Sequence, residues 1–412
     1  MARIDIDHLA LELGRELDTR LANADAALVA QFPGDQAGRQ PVHTVYVAAD
    51  RYHAALVSDW GAEGLAALDA HRGLFAELVG DDEIVARVRG KLAAEPIEDL
   101  RIDFEDGYGN RPDAVEDGDA EAAGGALATS RAEGAASPFS GIRIKSLEAP
   151  TRSRAVRTFL AFVDALAGAG ASFDGFVTTL PKVTSVEQVQ AMVHLCERAE
   201  AAAGIGRLRF EIQVETPQSI LSPDGAALVA RMVHASAGRC TALHYGTYDY
   251  SAFCGIAAPY QSMAHPVADH AKLVMQAAAA GTGVRLSDGS TNILPVGDAA
   301  GVRRGWELHL QLVRRSLERG YYQGWDLHPA QLPSRYAATI GFYRDGLAEA
   351  ERRLHAYFAQ TESGILDEPA TVRALADYTL RALHCGAATD DEVRAATGLD
   401  AGRLAELARP TR

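Results

Sequence analysis

The pattern of apolar and polar positions changes period several times along the chain. Residues 4–32 place Leu9, Leu13, Leu17, Leu21 and Leu28 at helical spacing, and FPGDQAGRQP then breaks the run. From VHTVYVAA (42–49) onward, short apolar strand-like runs alternate with longer helical tracts. The further strands read as DLRIDFED (99–106), GIRIKSL (141–147), FDGFVTTLPK (173–182), LRFEIQVE (208–215), CTALHYGT (240–247), GVRLSDG (283–289) and YYQGWDLHP (321–329). Helical tracts fall at LAALDAHRGLFAELV, DEIVARVRGKLAAE, 153–169, 185–203, 222–237, 264–280 and 299–319. After Tyr343 the pattern is helical to the end, with TDDE (389–392) reading as a capping box in which Thr389 caps the helix carrying Glu392.

Eight strands alternating with helices predict an α/β (β/α)8 TIM barrel. A doubly wound open sheet competes, but no GxGxxG turn follows the first strand. The expected organisation is an N-terminal helical extension (1–40), a catalytic barrel (41–345) and a C-terminal helical extension (346–412). The Ala-, Gly- and acid-rich stretch after the second strand reads as a lid or as a helix of small residues followed by a loop. DEVRAATGLDAGRLAEL has the outline of a helix-turn-helix, but its arginines are balanced by acids, which favours a packing or oligomerisation role.

Composition narrows the function. The net charge of -15 argues against a nucleic-acid partner, because phosphate binding needs a basic face. Any anionic ligand must then be captured by local Arg, Lys or metal. Cys196, Cys240, Cys254 and Cys385 are scattered without CxxC spacing, so reduced thiols are expected rather than a disulfide framework or a structural zinc. The N-terminus lacks a signal-peptide pattern and no apolar stretch approaches a membrane span, which points to a cytoplasmic protein with no membrane partner.

In a barrel, polar side chains at the carboxyl ends of strands form the active site. Those positions offer Asp103, Glu105 and Asp106; Arg143 and Lys145; Lys182; Gln213 and Glu215; His244 and Asp249; Asp288; and Asp326 and His328. Oxygen donors dominate and no HExxH pair occurs, which suits Mg²⁺, or Mn²⁺, better than zinc. Glu215 and Asp249 end neighbouring strands and could share one hard cation, leaving positions for a 2-keto or 2-hydroxy acid, while Arg143 could clamp its carboxylate. Each residue also has a structural reading. Glu215 and Asp249 could cap local helices, Arg143 could pair with Glu105 or Asp106, Lys182 could be a solvated loop lysine, and His328 a packed histidine. His265 and His270 share no helix face, and no base motif flanks Cys254.

The motifs DFEDGYG, GIRIK, TLPKV, QVET, GTYDYSA, RLSDG and LHPAQ, in this order, resemble those of the HpcH/HpaI aldolase and citrate lyase beta-subunit family, which includes malyl-CoA lyases. The resemblance covers about 42–345. It implies Mg²⁺ on Glu215 and Asp249, Arg143 on the substrate's carboxylate or keto oxygen, and Glu105 and Asp106 orienting the arginine or metal-bound waters. Lys182, Asp288 and His328 would complete the substrate-binding set, with the general base left open. The implied protein is a carbon–carbon lyase acting on a hydroxy acyl thioester of coenzyme A or a 4-hydroxy-2-keto acid, assembled as a homo-oligomer (trimer or hexamer). Two alternatives stay open: malate synthase-like condensation or phosphoenolpyruvate-type chemistry on the same barrel, and a non-catalytic metal- or metabolite-binding scaffold.

Overall fold

The computed structural model describes residues 4–36, 38–359 and 368–409. Eight parallel strands run in the order β7-β6-β5-β4-β3-β2-β1-β8. They are β1 (His43–Ala48), β2 (Asp99–Asp103), β3 (Phe139–Arg143), β4 (Phe176–Leu180), β5 (Arg209–Val214), β6 (Cys240–Tyr245), β7 (Arg285–Ser287) and β8 (Gly324–Asp326). β1 pairs with both β2 and β8, and a parallel bridge between Ser287 and Gln323 joins β7 to β8. The Asp288 amide donates to the Gln323 carbonyl at 2.8 Å, and the Trp325 amide to the Gly289 carbonyl at 3.1 Å, which closes the ring. The chain therefore folds as a (β/α)8 TIM barrel.

Strand residues are almost all buried, since helices cover the outside and side chains fill the inside. The period of two in each strand decides which residues do which. Leu100, Ile102, Ile142, Phe210, Ile212 and Leu243 are fully buried and pack outward in the apolar layer beneath the helices. The inward positions are strongly polar. Arg101 is ion-paired to Asp99 and donates to both Glu211 oxygens, at 3.0 and 2.7 Å, and to Thr179 at 3.1 Å. His244 Nε2 lies 3.0 Å from the same Glu211, and the Trp325 indole donates to His244 Nδ1 at 3.0 Å. Each buried charge has an opposite partner, as a dry interior requires. This plug separates the two ends of the barrel.

The Ala- and Gly-rich stretch forms a helix, Asp113–Ala132, packed on Arg152–Gly168, and not a lid. The expected helix at 222–237 is shorter, Leu228–Ala235, preceded by a one-turn helix at Pro217–Ile220. At the C-terminal side, Leu332–Ala359 packs against Pro369–His384, and the short helices Asp390–Thr397 and Ala401–Ala408 bury Val393 and Leu404. Thr389 caps as the TDDE pattern predicts: its hydroxyl accepts from the Glu392 amide at 3.2 Å, and Glu392 accepts from the Thr389 amide at 2.7 Å. The helix Ile6–Gln31 has no buried residue. Beyond it Phe32 stands edge-on to His234, ring centroids 5.4 Å apart, and the Gly34 amide donates to the Gly281 carbonyl at 2.8 Å. These contacts lead the chain across the amino-terminal end of the barrel. No helix among the described residues is long and apolar enough to cross a membrane.

Candidate active site

The carboxyl ends of the strands open into a cavity of about 700 Å³. It is lined by residues from six strand ends, among them Ala48, Asp103, Arg143, Gln213, Gly246 and Trp325. Of the residues expected from sequence, Arg143, Asp106, Glu215, Asp249 and His328 all line this one cavity. Glu105 and Lys182 stand at its edge through their ion pairs.

Arg143, the last residue of β3, is buried and held as a fork. Its Nε and Nη2 donate to the two Asp103 oxygens at 2.7 and 2.6 Å, and its Nη1 lies 3.3 Å from Glu105 Oε2. The guanidinium lies over the Tyr46 ring, 4.8 Å from its centroid. The principal partner of Arg143 is thus Asp103, in place of the Glu105 or Asp106 considered from sequence. Asp103 in turn accepts from the Glu105 amide at 2.9 Å and the Gly107 amide at 2.8 Å, so it organises the whole turn after β2. Burial disfavours the Arg143 charge, but Asp103 and Glu105 outweigh it and raise its pKa well above the ordinary value.

Glu215 follows β5 in the inward register of Glu211 and Gln213, and it is fully buried. Its Oε1 accepts from the Lys182 amide at 2.7 Å and its Oε2 from the Gln213 amide group at 2.6 Å. Lys182 follows Pro181 with a left-handed φ of 50°, unusual for a side-chain-bearing residue, which aims its amide at Glu215. Its ammonium forms an ion pair with Glu105 and lies 3.1 Å from Asp106 and 3.7 Å from Asp249. It is therefore no solvated loop lysine. Gly246, just past β6, has no room for a side chain: a Cβ there would fall 2.4 Å from that of Glu215.

The charges do not balance. Asp103, Glu105, Asp106, Glu215 and Asp249 face Arg143 and Lys182. Burial, then the charges of Glu105 and Asp249, push the Glu215 carboxyl well above its usual range against the pull of Lys182 and Arg143. Burial also raises Glu105, whereas at Asp106 burial is outweighed by Lys182 and Arg143 and the carboxyl is held low. Among the described residues no three Asp, Glu, His or Cys side chains surround a common point as metal ligands, and an ammonium sits among the acids. The donor set nonetheless fits a hard divalent cation, being all carboxylate oxygen with acids in excess.

His328 also lines this cavity. Its Nδ1 accepts from the Ala330 amide at 3.1 Å, which fixes the neutral tautomer with the proton on Nε2. Burial lowers its pKa. Asp288, expected to bind substrate, is turned away from the cavity. Ser287 pairs in register with the inward-facing His244, so the next side chain points outward. There Asp288 accepts from Lys272 Nζ at 2.8 Å and Ser316 Oγ at 2.6 Å, in a buried strand-to-helix tie. Asp326 is outward for the same reason, held by Arg335, His43 and His309. Besides the strand-end residues, the cavity takes in Arg51, His53 and Trp60, which lie outside the motifs, and Tyr248, which lies within GTYDYSA beside Asp249 on the helix Thr247–Phe253.

The family described as "Domain of unknown function (DUF6986)" matches residues 21–412. The chain belongs to this family. No curated protein sequence matches it. Among solved structures, the DUF6986 chain resembles malate synthase of Haloferax volcanii in its native form, with 13% identity and a TM-score of 0.51, over 92% of this chain and 100% of that one. The magnesium/glyoxylate complex of the same enzyme aligns with 13% identity and a TM-score of 0.49, over 74% and 76% of the two chains. CitE of Mycobacterium tuberculosis, complexed with the triphosphate group of ATP, aligns at 18% identity and a TM-score of 0.42, over 72% and 96%. At 13% identity the likeness to the native malate synthase shows the barrel fold alone.

Proposed function

We propose that the protein is a magnesium-dependent carbon–carbon lyase that cleaves a hydroxy acyl-CoA or a 4-hydroxy-2-keto acid through an enolate. The observation carrying this reading is the excess of buried carboxylate around Arg143 and Lys182 at one end of the barrel. Glu215 and Asp249 would hold Mg²⁺, which when bound supplies Lewis-acid stabilisation of negative charge developing on a substrate oxygen.

The side chains divide the remaining work. Arg143, kept charged and fixed by Asp103, presents Nη1 to an anionic substrate group in a cavity whose apolar walls include Leu56, Trp60 and Trp325. Glu105 and Asp106 hold the Lys182 ammonium beside the acids, so that the substrate's negative charge meets two cations. His328, neutral with its proton on Nε2, can donate a hydrogen bond into the cavity that Arg143 also lines. Breaking the carbon–carbon bond leaves its electron pair on the fragment that becomes the enolate, while the hydroxyl carbon of the other fragment becomes a carbonyl and its proton would pass to a carboxylate of the site. Malate synthase-like condensation would instead join an acyl-CoA enolate to glyoxylate and release free CoA by thioester hydrolysis, and consumption of glyoxylate plus acetyl-CoA tests it.

The test is release of acetyl-CoA or pyruvate from a panel of hydroxy acyl-CoA and 4-hydroxy-2-keto acid substrates, with MgCl₂ titrated from zero. Turnover that saturates with Mg²⁺ and vanishes in Glu215→Ala and Asp249→Ala is expected. Metal-independent turnover, or unchanged activity in both variants, would remove the assignment. Keto-acid binding that needs Mg²⁺ but gives no turnover over the panel would leave a binding scaffold.

A further inference from the structure

The opposite, amino-terminal end of the barrel concentrates arginine in a protein of net charge -15. Arg209 opens β5, Arg285 opens β7 and Arg207 lies two residues before β5. Arg381 on Pro369–His384 and Arg409 at the end of Ala401–Ala408 approach the same rim. Two adjoining clefts, of about 290 and 460 Å³, meet here, and Arg285 lines both.

Asp35, Asp377, Asp99, Asp174 and Glu211 also line the clefts, but of these only Asp377 pairs with the five arginines. Among the described residues Arg207, Arg209 and Arg285 make no ion pair, and Arg381 and Arg409 share Asp377, at 2.6 and 3.5 Å. Neutral acceptors take part of the hydrogen bonding. The Gly38 carbonyl accepts from Arg285 at 3.1 Å and from Arg409 at 3.3 Å. Gln36 accepts from Arg209 at 3.5 Å and Gln40 from Arg381 at 2.9 Å. Each of these arginines has five N–H groups, so donors remain toward the clefts. Burial, and then the like charges of Arg381, Arg409 and Arg209, pull Arg285 down to about 10 against the opposing charge of Asp99. Some surface arginines elsewhere pair with acids, as Arg89 with Asp69 and Arg314 with Asp345.

We propose that this cleft is a second ligand site, for a compact multivalent oxyanion of the pyrophosphate class, either free or as the diphosphate of a nucleotide. Planar guanidinium forks from three sides match the geometry and charge of such a group. The plug formed by Arg101, Asp99, Glu211 and His244 lies between this cleft and the cavity at the carboxyl end, so the ligand is an effector or structural anion and not a substrate of that cavity. The inference does not depend on the reaction proposed above.

Isothermal titration of the full chain with sodium pyrophosphate, at two ionic strengths, tests it. Saturable binding of one equivalent, weakened by salt, is expected. The exposed double variant Arg207→Gln/Arg209→Gln should fold as the parent does, by circular dichroism, and bind at least about tenfold more weakly. Arg285→Gln should do the same. ADP binding as tightly as pyrophosphate assigns the site to a nucleotide's diphosphate, and weaker ADP binding assigns it to the free ion. Absence of pyrophosphate binding, or binding that survives both variants and is lost instead in Arg51→Gln at the other end, would overturn the proposal.

Discussion

Asp103 grips Arg143 with both carboxylate oxygens, 2.7 and 2.6 Å from Nε and Nη2, while also accepting two backbone amides of the turn after β2. One acid thus sets both the guanidinium and the loop that carries Glu105 and Asp106. Asp103→Asn keeps the shape but loses the charge and one side of the fork. Partners that orient a functional group in this way are worth about 10–100-fold in activity. If Arg143 captures the substrate as proposed, kcat/KM should fall by that amount with the larger share in KM. Steady-state kinetics at saturating Mg²⁺ measure the split, and an unaltered KM would contradict it.

Lys182 stands where a divalent cation would have to compete. Replacing it with Met leaves Glu105, Asp106, Asp249 and Glu215 facing one another without the ammonium. The metal-free variant should lose about 2–4 kcal/mol of stability, the cost of breaking a largely buried pair. Mn²⁺ should bind it more tightly than the parent and restore much of that loss. Thermal melts with and without MnCl₂ read both effects, and a metal-insensitive melting temperature would count against a cation site at these acids.

Gly246 is spaced against Glu215 so closely that Gly246→Ala places a methyl group 2.4 Å from the Glu215 Cβ. Neither partner can give way freely, because Glu215 is fully buried and bonded at both oxygens. The substitution should cost about 1–3 kcal/mol and displace Glu215 from its place beside Lys182. Denaturant titration gives the first figure, and loss of the Mg²⁺ response of activity reports the second.

Asp326 makes an acid-side prediction away from the active site. Burial works against its charge, but Arg335, His309 and His43 outweigh burial and hold its carboxyl well below the usual range. A depressed folded-state pKa means that the stabilisation is complete above the unfolded value, about 4, and is lost as pH falls toward the folded one. Asp326→Asn should destabilise by about 3–5 kcal/mol at pH 7, by leaving Arg335 buried without its partner, and should flatten the loss of stability below pH 4. Chemical denaturation from pH 3 to 7 checks both; parallel curves for parent and variant would exclude the linkage.

The barrel was legible because its evidence is local. Apolar runs such as LRFEIQV and helical tracts such as 185–203 declare their period within a dozen residues, and the parallel strand order follows from their alternation. The rim residues were legible for the same reason: strand ends can be counted. What could not be counted was parity where a strand is short. β7 has only three residues, so the face of Asp288 depended on its register against β6, which placed Ser287 inward and Asp288 outward. Arg51, His53 and Trp60 reach the cavity from the segment after β1 and the helix Leu56–Ala70, and only closure of the ring brings those segments to the rim.

Taken alone, the order of residues determined the eight-strand barrel, the rim that holds the candidate site and the oxygen-rich character of the groups there. Folding decided the pairings: Asp103 with Arg143, Lys182 among the acids, Asp288 tied to Lys272, and five arginines converging at the far end. The reason is range. Periodicity and capping act over a few residues and are written in local spacing, whereas charge pairing is fixed by ångström distances between segments far apart in the chain, which exist only once the barrel has closed.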